Sequence, residues 1–152
     1  MPDFYEFFAG GGMARAGLGS AWRCTFANEI DSKKATTYRA NWGRHELLVC
    51  DVARVPLRAI AGSADLAWAS FPCQDLSLAG NGAGLNGERS GTFWSFWRIM
   101  EGLAKEGRAP KIIALENVCG ALTSHDGKDF AKIGAALGIA VEDVYPQKAI
   151  RG

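Results

Sequence analysis

The chain has almost no net charge: 17 Lys and Arg against 16 Asp and Glu leave +1 over 152 residues. That removes the basic footprint from which nucleic-acid binding is read off composition. Its four cysteines, Cys24, Cys50, Cys73 and Cys119, form no C-x-x-C pair, and two histidines, His45 and His125, make no cluster beside them. Structural zinc is therefore not expected, and both histidines read as surface residues. No stretch has the pattern of a signal peptide, which argues against a disulfide framework. The apolar runs stop well short of a bilayer span, so no membrane partner is expected. There is no internal repeat and no low-complexity linker. What remains is a single soluble domain of a reducing, cytoplasmic compartment, with 48% apolar residues available for a core. Glycine, by contrast, is plentiful at 19 residues, much of it within 10–19 and 80–91. Ligand contacts are expected there.

The organising stretch is Ala69-Ser70-Phe71-Pro72-Cys73-Gln74-Asp75-Leu76-Ser77. Residues 64–70 have the length and composition of a buried strand. Pro72 ends it, since proline cannot donate to a ladder and biases its predecessor towards extended geometry. Cys73 is thereby presented at the carboxyl end of a strand, the edge at which open α/β sheets bind ligands. The alternative is a cysteine that serves only as a small buried hydrophobe.

Residues 3–9 read as a first strand, nearly all apolar and hence buried on both faces. It runs into Gly10-Gly11-Gly12 and then a helical pattern over 13–18. Strand, glycine turn and helix together allow a ligand to approach backbone amides, although tight turns use glycine as well. A second strand over 22–28 ends at Glu29-Ile30-Asp31. An acid about twenty residues past the glycine turn suits a ribose diol, and Ile30 could cover an adenine face. Asp31 is read instead as the cap of a helix over 32–41. A third strand, 47–50, ends at Asp51-Val52, again an acid followed by an aliphatic residue. Three strand ends with polar tips point to one adenosine site.

Phe93, Phe96, Trp97, Met100 and Leu103 recur at helical spacing, so 92–103 reads as a core-facing helix rather than a base-stacking platform. A further buried strand, 111–115, ends at Glu116-Asn117-Val118. Glu116 is a candidate acid or base in line with Cys73, or else an exposed loop acid. A last helix is expected over 129–137, then an extended piece over 139–144. The predicted architecture is α/β: a doubly wound, mostly parallel, Rossmann-like sheet with helices on both faces.

Together these stretches resemble the DNA cytosine-5 methyltransferases. Phe8-Ala9-Gly10-Gly11-Gly12 looks like that family's first motif, Asn28-Glu29-Ile30-Asp31 its second and Asp51-Val52 its third. Phe71-Pro72-Cys73-Gln74 with Ser77 is similar to the catalytic Pro-Cys-Gln loop. Residues 89–94 resemble the fifth motif, and Glu116-Asn117-Val118 the Glu-Asn-Val motif. Order and spacing agree from Asp3 to about Val118. Met13 stands where the family often has another glycine, and Phe93 where leucine is common.

The resemblance implies the S-adenosylmethionine-dependent methyltransferase fold, with S-adenosylmethionine as cofactor. Phe8 and Ile30 would sandwich the adenine, Glu29 would hold the ribose, and Asp51 would accept from the adenine amino group. Gly10 and Gly12 would admit the methionine part, with Ala9, Val52, Pro72 and Phe93 completing the pocket. Cys73 would add to C6 of a cytosine flipped out of double-stranded DNA, and Glu116, protonated through burial, would engage ring N3. Gln74, Ser77, Asn117 and Val118 would contact the base. The family is normally about twice this length, beyond ordinary single-domain size. Residues 1–152 are thus expected to be a partial catalytic domain without target recognition or the later motifs: a truncated form, or one subunit completed by a second polypeptide. An uncovered apolar edge would also favour a homo-oligomer. A bacterial or phage source fits. The resemblance leaves open an RNA cytosine-5 methyltransferase and a non-catalytic partner protein. A dinucleotide-dependent oxidoreductase is disfavoured, because the glycines are not spaced G-x-G-x-x-G.

Overall fold

The computed structural model describes residues 1–72, 92–117 and 128–138. The chain divides into two units, one of Met1–Phe71 with Thr92–Glu116 and one of Pro72–Gly91 with Asn117–Gly152. The first holds five strands: β1 (Asp3–Phe7), β2 (Arg23–Glu29), β3 (Leu47–Val49), β4 (Leu66–Ala69) and β5 (Ile112–Leu115). They pair in the order β3-β2-β1-β4-β5, and all four pairings are parallel. Parallel neighbours need crossovers, which α1 (Met13–Leu18), α2 (Ser32–Trp42) and α3 (Thr92–Lys105) help to provide. Between β3 and β4 the crossing is made by two 3-10 turns, Val52–Arg54 and Leu57–Ala59, which the sequence pattern did not indicate.

Alternation along the strands sorts the core into two layers. Tyr5, Phe7, Phe26, Ala67 and Ala69 face Phe96, Ile99, Met100 and Leu103 of α3, together with Val52, Val55 and Ile60 of the 3-10 segment. Phe4, Cys24, Ala27 and Leu66 cluster with Tyr38 of α2, with Leu18, Trp22 and Trp42 packed at the margin. Helices thus cover both faces, as expected of a doubly wound sheet. The aromatic helix is a core helix: Phe93, Phe96, Ile99, Met100 and Leu103 are all buried.

Asp31 caps α2, its Oδ1 accepting from the amides of Lys33 at 2.8 Å and Lys34 at 3.1 Å. Those bonds hold its carboxyl below the usual Asp value of 3.8. A lowered folded-state value stabilises above the unfolded one and is lost as acid titrates the cap. Asp31→Ala is therefore expected to lower the urea midpoint at pH 7, with the difference from the parent shrinking below pH 3.8; equal midpoints at pH 7 would refute the cap. In the second unit the described residues include α4 (Lys128–Ala136), with Ile133 buried. The extended piece anticipated over 139–144 lies outside the described residues.

Candidate active site at the carboxyl rim of the sheet

Register places the strand ends in one row. Phe7 lies opposite Asn28 and Ala69, Glu29 opposite Val49, and Ala69 opposite Leu115. Backbone bonds stitch the segments that leave the row: Ala9 N–H to Asn28 O at 2.9 Å, Cys50 N–H to Glu29 O at 3.1 Å, Ser70 N–H to Phe7 O at 3.4 Å and Glu116 N–H to Ala69 O at 2.9 Å. Successive strands run outward from β1 through β2 to β3, then restart on its other side at β4. The reversal makes the β1/β4 boundary a topological switch point, where open α/β sheets take ligands.

The turn after β1 is tightly wound. Phe8 has φ 57°, a left-handed value rare for a bulky residue, and Gly10 and Gly12 follow at 56° and 84°. Glycine tolerates this backbone without cost, whereas Phe8 stores strain on the order of 1–2 kcal/mol. This strain ended β1 at Phe7 rather than at Ala9. Glu29 holds the turn in place: it is 5% exposed, its Oε2 accepts from Gly10 N–H at 2.7 Å and its Oε1 from Asp31 N–H at 2.8 Å. Each oxygen keeps a further lone pair for a ligand hydroxyl.

Beside it Ile30 is 63% exposed, a large aliphatic side chain with no cover of its own. Asp51 is half-buried and caps the following 3-10 turn through Oδ1, which accepts from Ala53 N–H at 2.9 Å. Ala9 is buried, and a Cβ built on Gly10 would meet nothing within 4 Å among the described residues, so the turn has open space there. The ring of Phe8 packs partly against the α3-side core. Val52 lies wholly in that core, and Phe93 is closed off by Phe71, Trp94 and Trp97. Both side chains are thus buried, and the accessible part of the rim is formed by Gly10, Ile30 and Asp51 beside the buried Glu29.

Glu116 follows β5 at the same rim, but it is exposed. The burial expected of it is not supplied at the end of an edge strand of the described sheet. Pro72 is exposed and Asn117 half-buried, both in the second unit. Cys73, Gln74, Ser77 and Val118 lie outside the described residues.

Two features of this rim were not anticipated. Glu6, a lone acid in an apolar strand, is 1% exposed. Its Oε1 accepts from two amides in the first turn of α1, Ala14 at 3.0 Å and Arg15 at 3.3 Å, while Oε2 has no partner among the described residues. Burial pushes its carboxyl up to about 7 against the pull of those two bonds. The signal was available, because an acid in a strand buried on both faces must be neutralised or bonded. The second is a brace behind the glycine turn. Trp42 Nε1–H and Asn41 Nδ2–H both donate to Gly11 O, at 3.1 and 3.2 Å. Arg15 lies over the Trp42 ring at 4.9 Å and pairs with Glu46 and Tyr38.

A parallel doubly wound sheet with a strained glycine turn, a rim acid and an exposed aliphatic wall defines the class of α/β proteins that hold a nucleoside-bearing ligand at the switch point. The sequence pattern of the C-5 cytosine-specific DNA methylases matches residues 3–139, and the chain belongs to that family. It is 36% identical over 155 aligned positions to the type II methyltransferase M.NlaX of Neisseria lactamica, covering 97% of this chain and 46% of that protein. With M.BsuFI of Bacillus subtilis it shares 34% over 131 positions, 86% of this chain and 30% of the relative. The chain thus spans less than half the length of either. Among solved structures, the Entamoeba histolytica methyltransferase EhMeth superposes with a TM-score of 0.71 at 21% identity, over 90% of this chain and 43% of that one. The Schizosaccharomyces pombe Dnmt2 methyltransferase gives 0.66 at 20% identity, over 88% and 41%. Both confirm the fold. No helix among the described residues is long and apolar enough to cross a membrane.

Proposed function

We propose that this chain forms the cofactor-binding and catalytic half of a DNA cytosine-5 methyltransferase, with target recognition supplied by further sequence on the same or a second polypeptide. The observation that carries the reading is the convergence of Gly10, Glu29, Ile30 and Asp51 on one rim, beside the strands that lead to Cys73 and Glu116. The fit to S-adenosylmethionine rests on that wall: lone pairs on Glu29 for a ribose diol, an exposed Ile30 for adenine, and a glycine turn open at Gly10. When bound, the cofactor supplies a methyl group on a cationic sulfur.

The remaining chemistry belongs to this chain's residues. Cytosine C5 is a poor nucleophile until the ring is made electron-rich. The Cys73 thiolate does so by adding to C6. Glu116 meets the negative charge that develops at N3, and a base lying against it would bring the burial that the exposed carboxylate lacks. Once C5 carries the methyl group, its proton passes to water, the C6–S bond breaks and the Cys73 thiolate leaves as the C5–C6 double bond re-forms. Since C5 and C6 are shielded in a stacked duplex, the base must be flipped out. Gln74, Ser77, Asn117 and Val118 are assigned to its contacts, and Pro72 and Phe93 to the cofactor side.

Calorimetric titration of the chain with S-adenosylmethionine, with NAD as control, is the direct test. Saturable binding of S-adenosylmethionine alone is expected, and Cys73→Ser should leave it unchanged. Binding of NAD at comparable strength, or of neither ligand, would sink the reading.

A further inference from the structure

We infer that Asn28 is a positioning residue that sets the distance between the Glu29 and Asp51 ends of the proposed cofactor site; the inference rests on the reading of that site given above. Asn28 is 1% exposed and stands at the centre of the row of strand ends, opposite Phe7 on one side and Leu48 on the other. Its Nδ2 donates to Cys50 O at 2.9 Å and to Leu48 O at 3.2 Å, and lies 3.8 Å from Cys50 Sγ. Its own carbonyl accepts from Ala9 N–H at 2.9 Å. One residue therefore touches the turn that carries Gly10, adjoins Glu29 in sequence, and grips the carbonyl immediately before Asp51.

The chemistry singles out an amide. Two carbonyl oxygens face the same atom, which fixes it as the NH2 end, and two protons are available for them. Aspartate has no proton to give when ionised, serine has one, and leucine none. The grip matters because β3 is only three residues long and half-buried, so its ladder holds it weakly. Beyond Val49 the chain is kept beside β2 by Cys50 N–H to Glu29 O and by the Asn28 amide. Without the amide the β3 end keeps only the Cys50 N–H bond and the anchor of buried Val52, and Asp51 holds its distance from Glu29 less firmly.

The test is a double-mutant cycle on S-adenosylmethionine affinity, measured by calorimetry on the chain, with far-UV circular dichroism to verify folding. Asn28→Ser and Asp51→Ala are each expected to weaken binding by about tenfold, the scale of one lost hydrogen bond. If Asn28 acts through Asp51, the double variant is no weaker than the worse single one. Additive losses would mean that Asn28 acts elsewhere and would overturn the inference, as would undiminished affinity in folded Asn28→Ser. Asn28→Asp provides a second arm that keeps the size of the side chain. At pH 7.5 it should bind about tenfold more weakly than the parent. At pH 5 it should recover towards the parent measured at the same pH, since the protonated carboxyl can again donate to Cys50 O. A loss that stays constant with pH counts against the grip. Failure of the parent itself to bind removes the cofactor reading, and this inference with it. Failure of the cycle alone, with the parent binding, removes only the role of Asn28.

Discussion

Gly12→Ala is expected to destabilise the chain by about 3 kcal/mol, while Gly10→Ala, two residues away in the same turn, should cost only about 1 kcal/mol. Both glycines have left-handed backbone, 84° and 56°, so a side chain at either carries the conformational cost. The difference lies behind them. A Cβ at Gly12 would stand 2.1 Å from Trp42 Nε1 and 2.5 Å from its Cδ1. The indole cannot simply step back, for its N–H is spent on Gly11 O and its face is covered by Arg15. At Gly10 the same atom meets nothing within 4 Å among the described residues. Function should invert the order: Gly10→Ala places its methyl in open space beside the Glu29 carboxylate, where the ligand is proposed to lie, and should weaken S-adenosylmethionine binding in a well-folded chain. Denaturant unfolding of the two variants checks the first half and calorimetry the second. Equal losses of stability would show that the Trp42 brace yields easily. Adding Trp42→Ala to Gly12→Ala should then return only the steric part of the loss, since the φ cost is local to residue 12.

The layout of this rim was legible in the sequence because its signals are local. Buried strands read as continuous apolar runs, each strand end carried its polar tip, and Asp31 sat where an N-cap must sit. The paired motifs around Cys73 and Glu116 then carried the family resemblance. What escaped depends on contacts across the sheet. Phe8 gave no sign of its left-handed backbone, because phenylalanine has no preference for it; the surrounding structure imposes it. Val52 and Phe93 were assigned to the pocket by resemblance; both side chains are buried, which spacing alone does not say. Asn28 was visible as part of a motif but without a role, since its two acceptors are main-chain atoms twenty and twenty-two residues away. Glu116 was expected to be buried through an argument about its chemistry, whereas its position at the end of β5 leaves it exposed. Glu6 is the case in which a physical signal existed and was passed over, and its consequence is a pH dependence of stability.

Glu6→Gln is expected to abolish a pH dependence of stability worth about 3 kcal/mol between pH 4.5 and 7. The folded-state carboxyl is raised to about 7 from an ordinary value of 4.5. Below pH 4.5 both folded and unfolded chains hold the proton, and the group contributes no difference. Between pH 4.5 and 7 the unfolded chain releases it while the folded one retains it, so stability falls as pH rises. Above pH 7 both are ionised and the full penalty persists. Two groups face the carboxyl: Arg15 from α1, whose charge opposes the shift, and Cys24 from β2, whose thiol is itself pushed up by burial. Neither cancels the burial of Oε2, which has no partner among the described residues. Glutamine keeps the oxygen that accepts from Ala14 and Arg15 and never ionises. The variant should therefore gain on the parent steadily from pH 4.5 to 7 and hold its gain above, as read from urea unfolding at pH 5 and pH 8. A difference between variant and parent that is the same at both values would mean that Glu6 is solvated or finds a partner for its second oxygen. Glu6 Oε1 accepts from the amides of Ala14 and Arg15, just past Gly12, and both bonds favour the ionised form; the penalty above pH 7 is therefore the burial of the charge and not a loosening of that anchor.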